Sequence, residues 1–166
     1  IRFEELPCKD QELSFEILHR KLKEIVRIEN FDKDTLKTLN LYDDVNGFNN
    51  AAGLLADKNH FPGIDIVKFG ENISIIQKRS TFENISVLEV YEKAIDVFRD
   101  YYQYEVIQGA DRKKMEKVPE AAFREAIANA LIHRVWDVNS QIRVSMFDDR
   151  IEIVSPGGLP SGITEE

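Results

Sequence analysis

A helix, a β-hairpin and a glycine turn follow one another in residues 119–160, which read PEAAFREAIANALIHRVWDVNSQIRVSMFDDRIEIVSPGGLP. Pro119 suits the start of a helix, where the missing backbone N–H leaves no hydrogen bond unmade. After it, apolar residues recur every three or four positions, which is the spacing of one helix face. The stripe consists of Phe123, Ile127, Ala130 and Leu131. This pattern predicts an amphipathic helix whose stripe faces a core.

A polar ridge accompanies that stripe. Glu125, Asn129 and His133 are spaced four residues apart, so they lie above one another on the same side of a helix. A carboxylate, an amide and an imidazole in a row are groups that a metal–phosphate site can use. The same pattern also fits a solvated helix face, and the spacing alone leaves both interpretations open.

The hairpin follows directly. Residues 141–147 alternate apolar Ile142, Val144 and Met146 with other side chains, and residues 150–154 return in the same style. Asp148-Asp149 is a suitable turn between them, because Asp tolerates turn conformations well. The second strand ends in SPGGLP, residues 155–160, where a proline and two glycines predict a sharp bend or a close approach of the backbone to a ligand.

Two segments of this stretch carry a family resemblance: REAIANALIHR at 124–134 and DDRIEIVSPGGLPSGI at 148–163. They resemble the C-terminal half of transcriptional regulators grouped with RecG-like ATP-dependent DNA helicases. Those proteins join an AlbA-like (Schlafen-type) domain to a divergent GHKL-type ATPase module. The sequence contains no GxxxxGK[ST] phosphate loop, so nothing in it predicts a helicase motor.

The resemblance implies roles for particular residues. Glu125 matches the glutamate that orients or activates the attacking water, and Asn129 matches the asparagine whose carbonyl binds Mg²⁺. Gly157 matches the first glycine of the next motif, and Gly158 continues the glycine turn beside the nucleotide. Ser155 stands where that motif has an aspartate that reads the adenine amine. The implied cofactors are ATP and Mg²⁺.

Composition sets the broad class. The 166 residues are 43% hydrophobic and 31% charged, which is typical of a globular chain. One cysteine, Cys8, excludes an intrachain disulfide framework and predicts a reducing, cytoplasmic location. No apolar run approaches the roughly 20 residues that span a membrane. A net charge of −8 argues against a nucleic-acid clamp, so DNA contact is expected through a longer protein, of which this chain is a fragment.

The division predicted along the chain has three parts. Residues 1–84 form a helix-rich region with a β-hairpin at 61–83. Asp32 caps a short helix of this region, and the region resembles a small winged-helix unit. Residues 85–118 form a connecting helix followed by a basic, linker-like stretch, in which Arg112 precedes the ridge helix. Residues 119–166 form the partial GHKL-like module. The basic stretch fits either a phosphate or DNA contact or a mobile solvated loop. The resemblance singles out Arg112, which stands where the family often has an arginine ahead of this helix.

These observations predict an α+β chain: a helical and hairpin N-terminal part, then the opening half of a GHKL-like α/β sandwich. The function implied is that of a fragment of a DNA-associated transcriptional regulator with a divergent ATP-binding module. ATP hydrolysis, if present, belongs to the full-length protein. The alternative is a non-catalytic module that retains a degenerate ATPase fold for homodimerisation or other interactions, with Glu125 and Asn129 making structural hydrogen bonds alone.

Overall fold

The computed structural model describes residues 1–70, 75–108, 111–116 and 118–157, with the backbone alone in 103–108 and 111–116. The fold is mixed α+β, which confirms the predicted class. The chain divides into two compact units. Unit 1 contains Ile1–Phe61 and Glu83–Val90, and unit 2 contains Pro62–Phe82 and the described residues from Tyr91 onward. No helix in the described part of the chain is long and apolar enough to cross a membrane.

Unit 1 is mainly helical. A short 3-10 turn (Phe3–Glu5) precedes three helices: α1 (Glu16–Ile25), α2 (Lys33–Thr38) and α3 (Asn50–Leu55). Between α2 and α3, two residues of β1 (Tyr42–Asp43) pair antiparallel with β2 (Gly47–Phe48). The core of the unit consists of buried side chains from these elements and their loops: Phe15, Leu18, Leu36, Leu41, Ala52 and Ala56.

Local hydrogen bonds explain where the short helices begin. The Asp32 carboxylate accepts from the Thr35 N–H at 3.1 Å, which confirms the predicted cap of α2. The Asn49 side chain accepts from the Ala52 N–H at 2.9 Å and caps α3 in the same way. Both helices are too short to be stable alone, so capping and the shared core together hold them. The winged-helix interpretation stays a prediction.

Unit 2 is built on a four-stranded sheet. Its strands are β3 (Ile64–Phe69), β4 (Ile76–Phe82), β7 (Ile142–Met146) and β8 (Ile151–Val154). Their spatial order is β4-β3-β7-β8, with β3 and β7 parallel and the two outer pairs antiparallel. The helices are α4 (Val87–Tyr102), which begins within the segment assigned to unit 1, and α5 (Glu120–His133). A separate antiparallel pair consists of β5 (Gln103–Gln108) and β6 (Asp111–Glu116).

The core of unit 2 lies between its sheet and its helices. The predicted alternation on β7 is confirmed, because Ile142, Val144 and Met146 are at most 1% exposed whereas Arg143 is exposed. The helices bury Ala94, Ile95, Phe98, Tyr102, Phe123, Ile127 and Leu131. The Tyr102 hydroxyl donates to the Phe147 carbonyl and tethers α4 to the β7–β8 turn. This arrangement of helices on a sheet is an α/β sandwich.

Strand pairing corrects one prediction and qualifies another. Residues 103–108 and 111–116 form a β-pair, so the basic, linker-like loop predicted over 105–118 is wrong. The antiparallel register sets Gln103 opposite Glu116 at one end of the pair and Gln108 opposite Asp111 at the other. The hairpin of β3 and β4 pairs with β7, so the sheet joins strands from both sides of residue 84. The three-part domain division itself stays a prediction.

An acid-sensitive ion-pair network holds the start of α5. Glu120 accepts from Arg99 Nε at 2.6 Å and from Arg124 Nε at 3.1 Å. Hydrogen bonds from Arg99 and then Arg124 lower the pKa of Glu120 to about 2. A depressed folded-state pKa contributes stability that is present above the unfolded value of 4.5 and is lost as pH falls towards 2. We therefore expect Glu120→Gln to lower the melting temperature at neutral pH and to match the wild type near pH 2.

Thermal unfolding of both proteins across that pH range measures the effect. Asp137→Asn removes an exposed carboxylate beyond the other end of α5 and is the matched control, so its curve should run parallel to that of the wild type. A gap between wild type and Glu120→Gln that stays constant from neutral pH to about pH 2 would show that the network has no such pH-dependent role.

Candidate functional site

The helix α5 presents the predicted polar ridge to solvent. Its apolar stripe (Phe123, Ile127, Ala130 and Leu131) is buried as predicted, and Glu125, Asn129 and His133 are exposed. Helical geometry therefore places a carboxylate, an amide and an imidazole on one accessible side. His133 is the last residue of α5, so the ridge runs along the C-terminal two-thirds of the helix.

The end of β8 bends back onto the C-terminal end of α5. The Ser155 hydroxyl donates to the Ala130 carbonyl at 3.4 Å, and the Val135 N–H donates to the Pro156 carbonyl at 3.1 Å. A Cβ added to Gly157 would lie 3.4 Å from the Val135 side chain, which shows how closely the bend approaches. We call residues 155–157 the strand-end bend. It contacts the backbone of α5 at Ala130, the residue after Asn129, near the C-terminal end of the helix.

The strand-end bend leaves polar and backbone groups accessible. Ser155 and Gly157 are exposed. A serine hydroxyl has one hydrogen to donate and two lone pairs that accept, so the bond to Ala130 leaves Ser155 free to accept from an amine. Gly158 lies outside the described residues. Arg112 lies on β6 opposite Ile107, and its side chain is outside what the structure describes, so its predicted role stays a prediction.

The metal-binding capacity of this region is limited. Within the described ranges, no group of three or more His, Cys, Asp or Glu side chains could hold a metal ion. The ridge therefore does not form a self-sufficient metal centre. Mg²⁺ is different, because it commonly takes only one or two protein oxygens and completes its shell with phosphates and water. The Asn129 amide oxygen fits that reduced requirement.

Arg134 is the feature of the site that sequence reasoning missed. The side chain directly follows α5 and is only 3% exposed. Its Nη2 donates to the Val138 carbonyl at 2.7 Å and to the Val135 carbonyl at 3.3 Å, and its guanidinium lies 4.4 Å from the centre of the Trp136 ring. Burial lowers the pKa of Arg134 below its usual value. A basic residue at a helix C-terminus is ordinarily solvated and interacts favourably with the helix dipole, so the sequence gives no sign that Arg134 is buried.

The burial of Arg134 is energetically expensive. Its Nε and Nη1 are buried and have no hydrogen-bond partner among the described groups. Each such donor costs about 1–3 kcal/mol relative to a satisfied one. The contact with Trp136 offsets part of this, because a desolvated cation–π interaction contributes about 2 kcal/mol. An apolar side chain of similar volume would avoid the cost, so packing alone does not account for an arginine here.

Unit 1 contains a cleft of about 670 Å³ that carries more acidic than basic residues. Its lining includes Asp10, Glu12, Glu16, Asp57 and Glu89 together with Arg20, Lys58 and His60. Asp57 is already committed to structure, because it accepts from the Glu16 and Ile17 N–H groups at 2.8 and 2.9 Å. One acidic group of the cleft therefore serves to hold the start of α1.

Comparison with known proteins supports an ATPase-like domain in the C-terminal part. Residues 139–166 match the family model described as "Putative ATP-dependent DNA helicase recG C-terminal". Over 99% of its length the chain is similar to the crystal structure of the DIP2311 protein from Corynebacterium diphtheriae, with 25% sequence identity and a TM-score of 0.77, and it spans 35% of that chain. No curated protein matches the sequence. The chain is thus similar, over β7, β8 and the strand-end bend, to RecG-related ATPase-like domains.

Proposed function

We propose that unit 2 is a divergent GHKL-like module that binds ATP with Mg²⁺ between the ridge of α5 and the strand-end bend. The observation that supports this proposal is the contact of Ser155 with the Ala130 carbonyl, which holds the bend against the C-terminal end of the helix that carries the ridge. The similarity of residues 139–166 to a RecG C-terminal ATPase-like domain supports it independently. Exposed polar groups and an accessible glycine backbone at this place are the groups that a phosphate-bearing ligand requires.

Each residue has a defined task in the proposal. The Asn129 side-chain oxygen holds the Mg²⁺, whose charge neutralises the phosphate oxygens when it is bound. Glu125 lies one turn earlier on the same exposed side and orients a water, accepting its proton as a general base. Ser155 accepts a hydrogen bond from the adenine amine, and the backbone at Gly157 and Gly158 approaches the nucleotide. His133 and Arg112 remain candidates for contacts with the phosphates.

A specific observation favours the second candidate, a non-catalytic module. Ser155 supplies no negative charge where related motifs carry an aspartate, and its hydroxyl hydrogen is used by the Ala130 carbonyl. Adenine recognition by Ser155 is therefore weaker than by a carboxylate, because hydrogen bonds to charged groups contribute more. In this alternative the module retains the fold for homodimerisation or another interaction, and Glu125 and Asn129 serve structure alone.

The wider role is that of a cytoplasmic, DNA-associated transcriptional regulator of which this chain is one part. The chain carries a net charge of −8, which disfavours phosphate contacts by the chain itself. We therefore propose that DNA contact is made by other parts of the longer protein. ATP hydrolysis is likewise proposed for the longer protein.

Calorimetric titration with ATP, in the presence and absence of Mg²⁺, tests the nucleotide proposal. We expect wild-type binding that requires Mg²⁺ and that weakens by about tenfold or more in Asn129→Ala. A lost contact to a charged ligand costs about 1.5–3 kcal/mol, and 1.4 kcal/mol corresponds to tenfold in affinity. Asn139→Ala, which truncates another exposed asparagine of unit 2, is the matched control and should bind as the wild type does. The absence of heat at millimolar ATP would favour the non-catalytic module instead.

A further inference from the structure

We infer that Arg134 is a positioning residue that holds the strand-end bend against α5 and so shapes one wall of the nucleotide site. This inference rests on the proposed function, and it assigns Arg134 no contact with the nucleotide. It concerns a residue that carries none of the predicted roles.

The turn after α5 is held by one guanidinium. Arg134 Nη2 donates to the carbonyls of Val135 and Val138, at 3.3 and 2.7 Å, and the two bonds close the loop of residues 134–138. The guanidinium carbon lies over the Trp136 ring, 4.4 Å from the ring centre. Lysine cannot reproduce both features, because its ammonium is a compact point charge without a planar fork.

Val135 connects this turn to the strand-end bend. Its carbonyl accepts from Arg134, its N–H donates to the Pro156 carbonyl at 3.1 Å, and its side chain faces Gly157 at the distance a Cβ there would contact. Arg134 thus holds the peptide group that follows Val135, and the peptide group that precedes Val135 bonds to Pro156, so Val135 joins the two contacts. We expect the loss of Arg134 to loosen the turn and with it the backbone hydrogen bond from Val135 to the strand-end bend.

The unsatisfied donors of Arg134 argue for a role other than packing. Nε and Nη1 are buried without acceptors in the described part of the chain, and a methionine would fill similar space without that penalty. The group that distinguishes arginine from methionine here is the Nη2 fork on two carbonyls. If Arg134 served packing alone, Arg134→Met would leave the local order at Val135 unchanged. If Arg134 is a positioning residue, the substitution lowers the local order at Val135.

The test compares Arg134→Met and Arg134→Lys with the wild type by two readouts. Amide hydrogen exchange at Val135, without nucleotide, should accelerate at least about tenfold in both variants, while exchange at Phe147, whose N–H donates to Arg150, should stay unchanged. ATP affinity by calorimetry should fall about tenfold or more in both variants. Arg143→Met removes an exposed arginine of β7 and should leave both readouts unchanged. If Arg134→Met fails to fold, the same two measurements on Arg134→Lys, which keeps the charge, still test the positioning role.

The outcomes separate this inference from the proposed function. Suppose that the wild type binds ATP but that the variants keep either the wild-type exchange rate at Val135 or the wild-type affinity. This result overturns the positioning role and leaves the nucleotide proposal standing. Absence of wild-type binding overturns the nucleotide proposal and, with it, the claim that Arg134 shapes a nucleotide site. In that case accelerated exchange at Val135 would identify Arg134 as a purely structural clamp.

Discussion

Replacing Phe98 with alanine is expected to lower the free energy of unfolding by about 3–5 kcal/mol, the range for truncating a fully buried phenylalanine. Phe98 on α4 is 0% exposed. Its ring stacks on Phe123 of α5, with centroids 4.6 Å apart, and on Tyr102, with centroids 5.3 Å apart. Removing it opens a cavity where both helices of unit 2 meet and ends both aromatic contacts. Denaturant unfolding followed by circular dichroism measures the loss.

The control for this prediction is another large apolar residue on a helix of the same unit. Ile132 on α5 is 67% exposed, so Ile132→Ala should change the free energy of unfolding by no more than about 0.5 kcal/mol. A Phe98→Ala variant that loses less than about 1 kcal/mol would mean that the core between α4 and α5 is not packed as described.

Replacing Asp57 with alanine should lower the stability by about 2 kcal/mol, a value typical of a lost helix cap that also bears charge-assisted hydrogen bonds. The residue before α1, Phe15, has no side chain that could cap the helix. Asp57 takes over this task from the loop after α3, accepting from the Glu16 and Ile17 N–H groups and from the Ser14 hydroxyl at 2.9 Å. The substitution leaves those donors unpaired and detaches the start of α1.

The pH dependence of this effect has a definite sign. Burial alone would raise the pKa of Asp57, but bonds from Ile17, Glu16 and Ser14 hold that pKa below the usual 3.8. The stabilisation is therefore present above pH 3.8, and the difference between wild type and Asp57→Ala should shrink as pH falls further. Asp44→Ala removes an exposed carboxylate that pairs with Lys37 and should leave unfolding nearly unchanged. Equal losses in the two variants would contradict the capping role.

Local patterns were sufficient to predict the elements whose signals lie within a few residues. The apolar stripe predicted α5, because its members recur at helical spacing and all pack against the same core. The alternation of Ile142, Val144 and Met146 predicted β7, and the capping side chain of Asp32 predicted the start of α2. In each case the physical cause is local in sequence, because it is either one face of an element turned to the interior or an N–H at the start of a helix that needs an acceptor.

Features that depend on distant partners were not predictable in this way. Strands β5 and β6 are defined by their mutual antiparallel pairing, which the sequence analysis did not predict. The candidate site shows the same division: the exposure of Glu125 and Asn129 follows from helical spacing, whereas the contact of Ser155 with Ala130 depends on tertiary folding. Arg134 was missed because nothing adjacent in sequence indicates that its charge is buried beside Trp136.

The parallel pairing of β3 with β7 has a consequence for synthesis on the ribosome. Ile64 pairs with Ile142, so one edge of β3 has no partner from β7 until synthesis has passed Ile142. In that interval the hairpin of β3 and β4 presents unpaired backbone groups beside apolar Ile64 and Ile66, a combination that templates association between chains. We therefore expect nascent chains that stall before β7 emerges to be more prone to association than chains in which β7 has paired with β3.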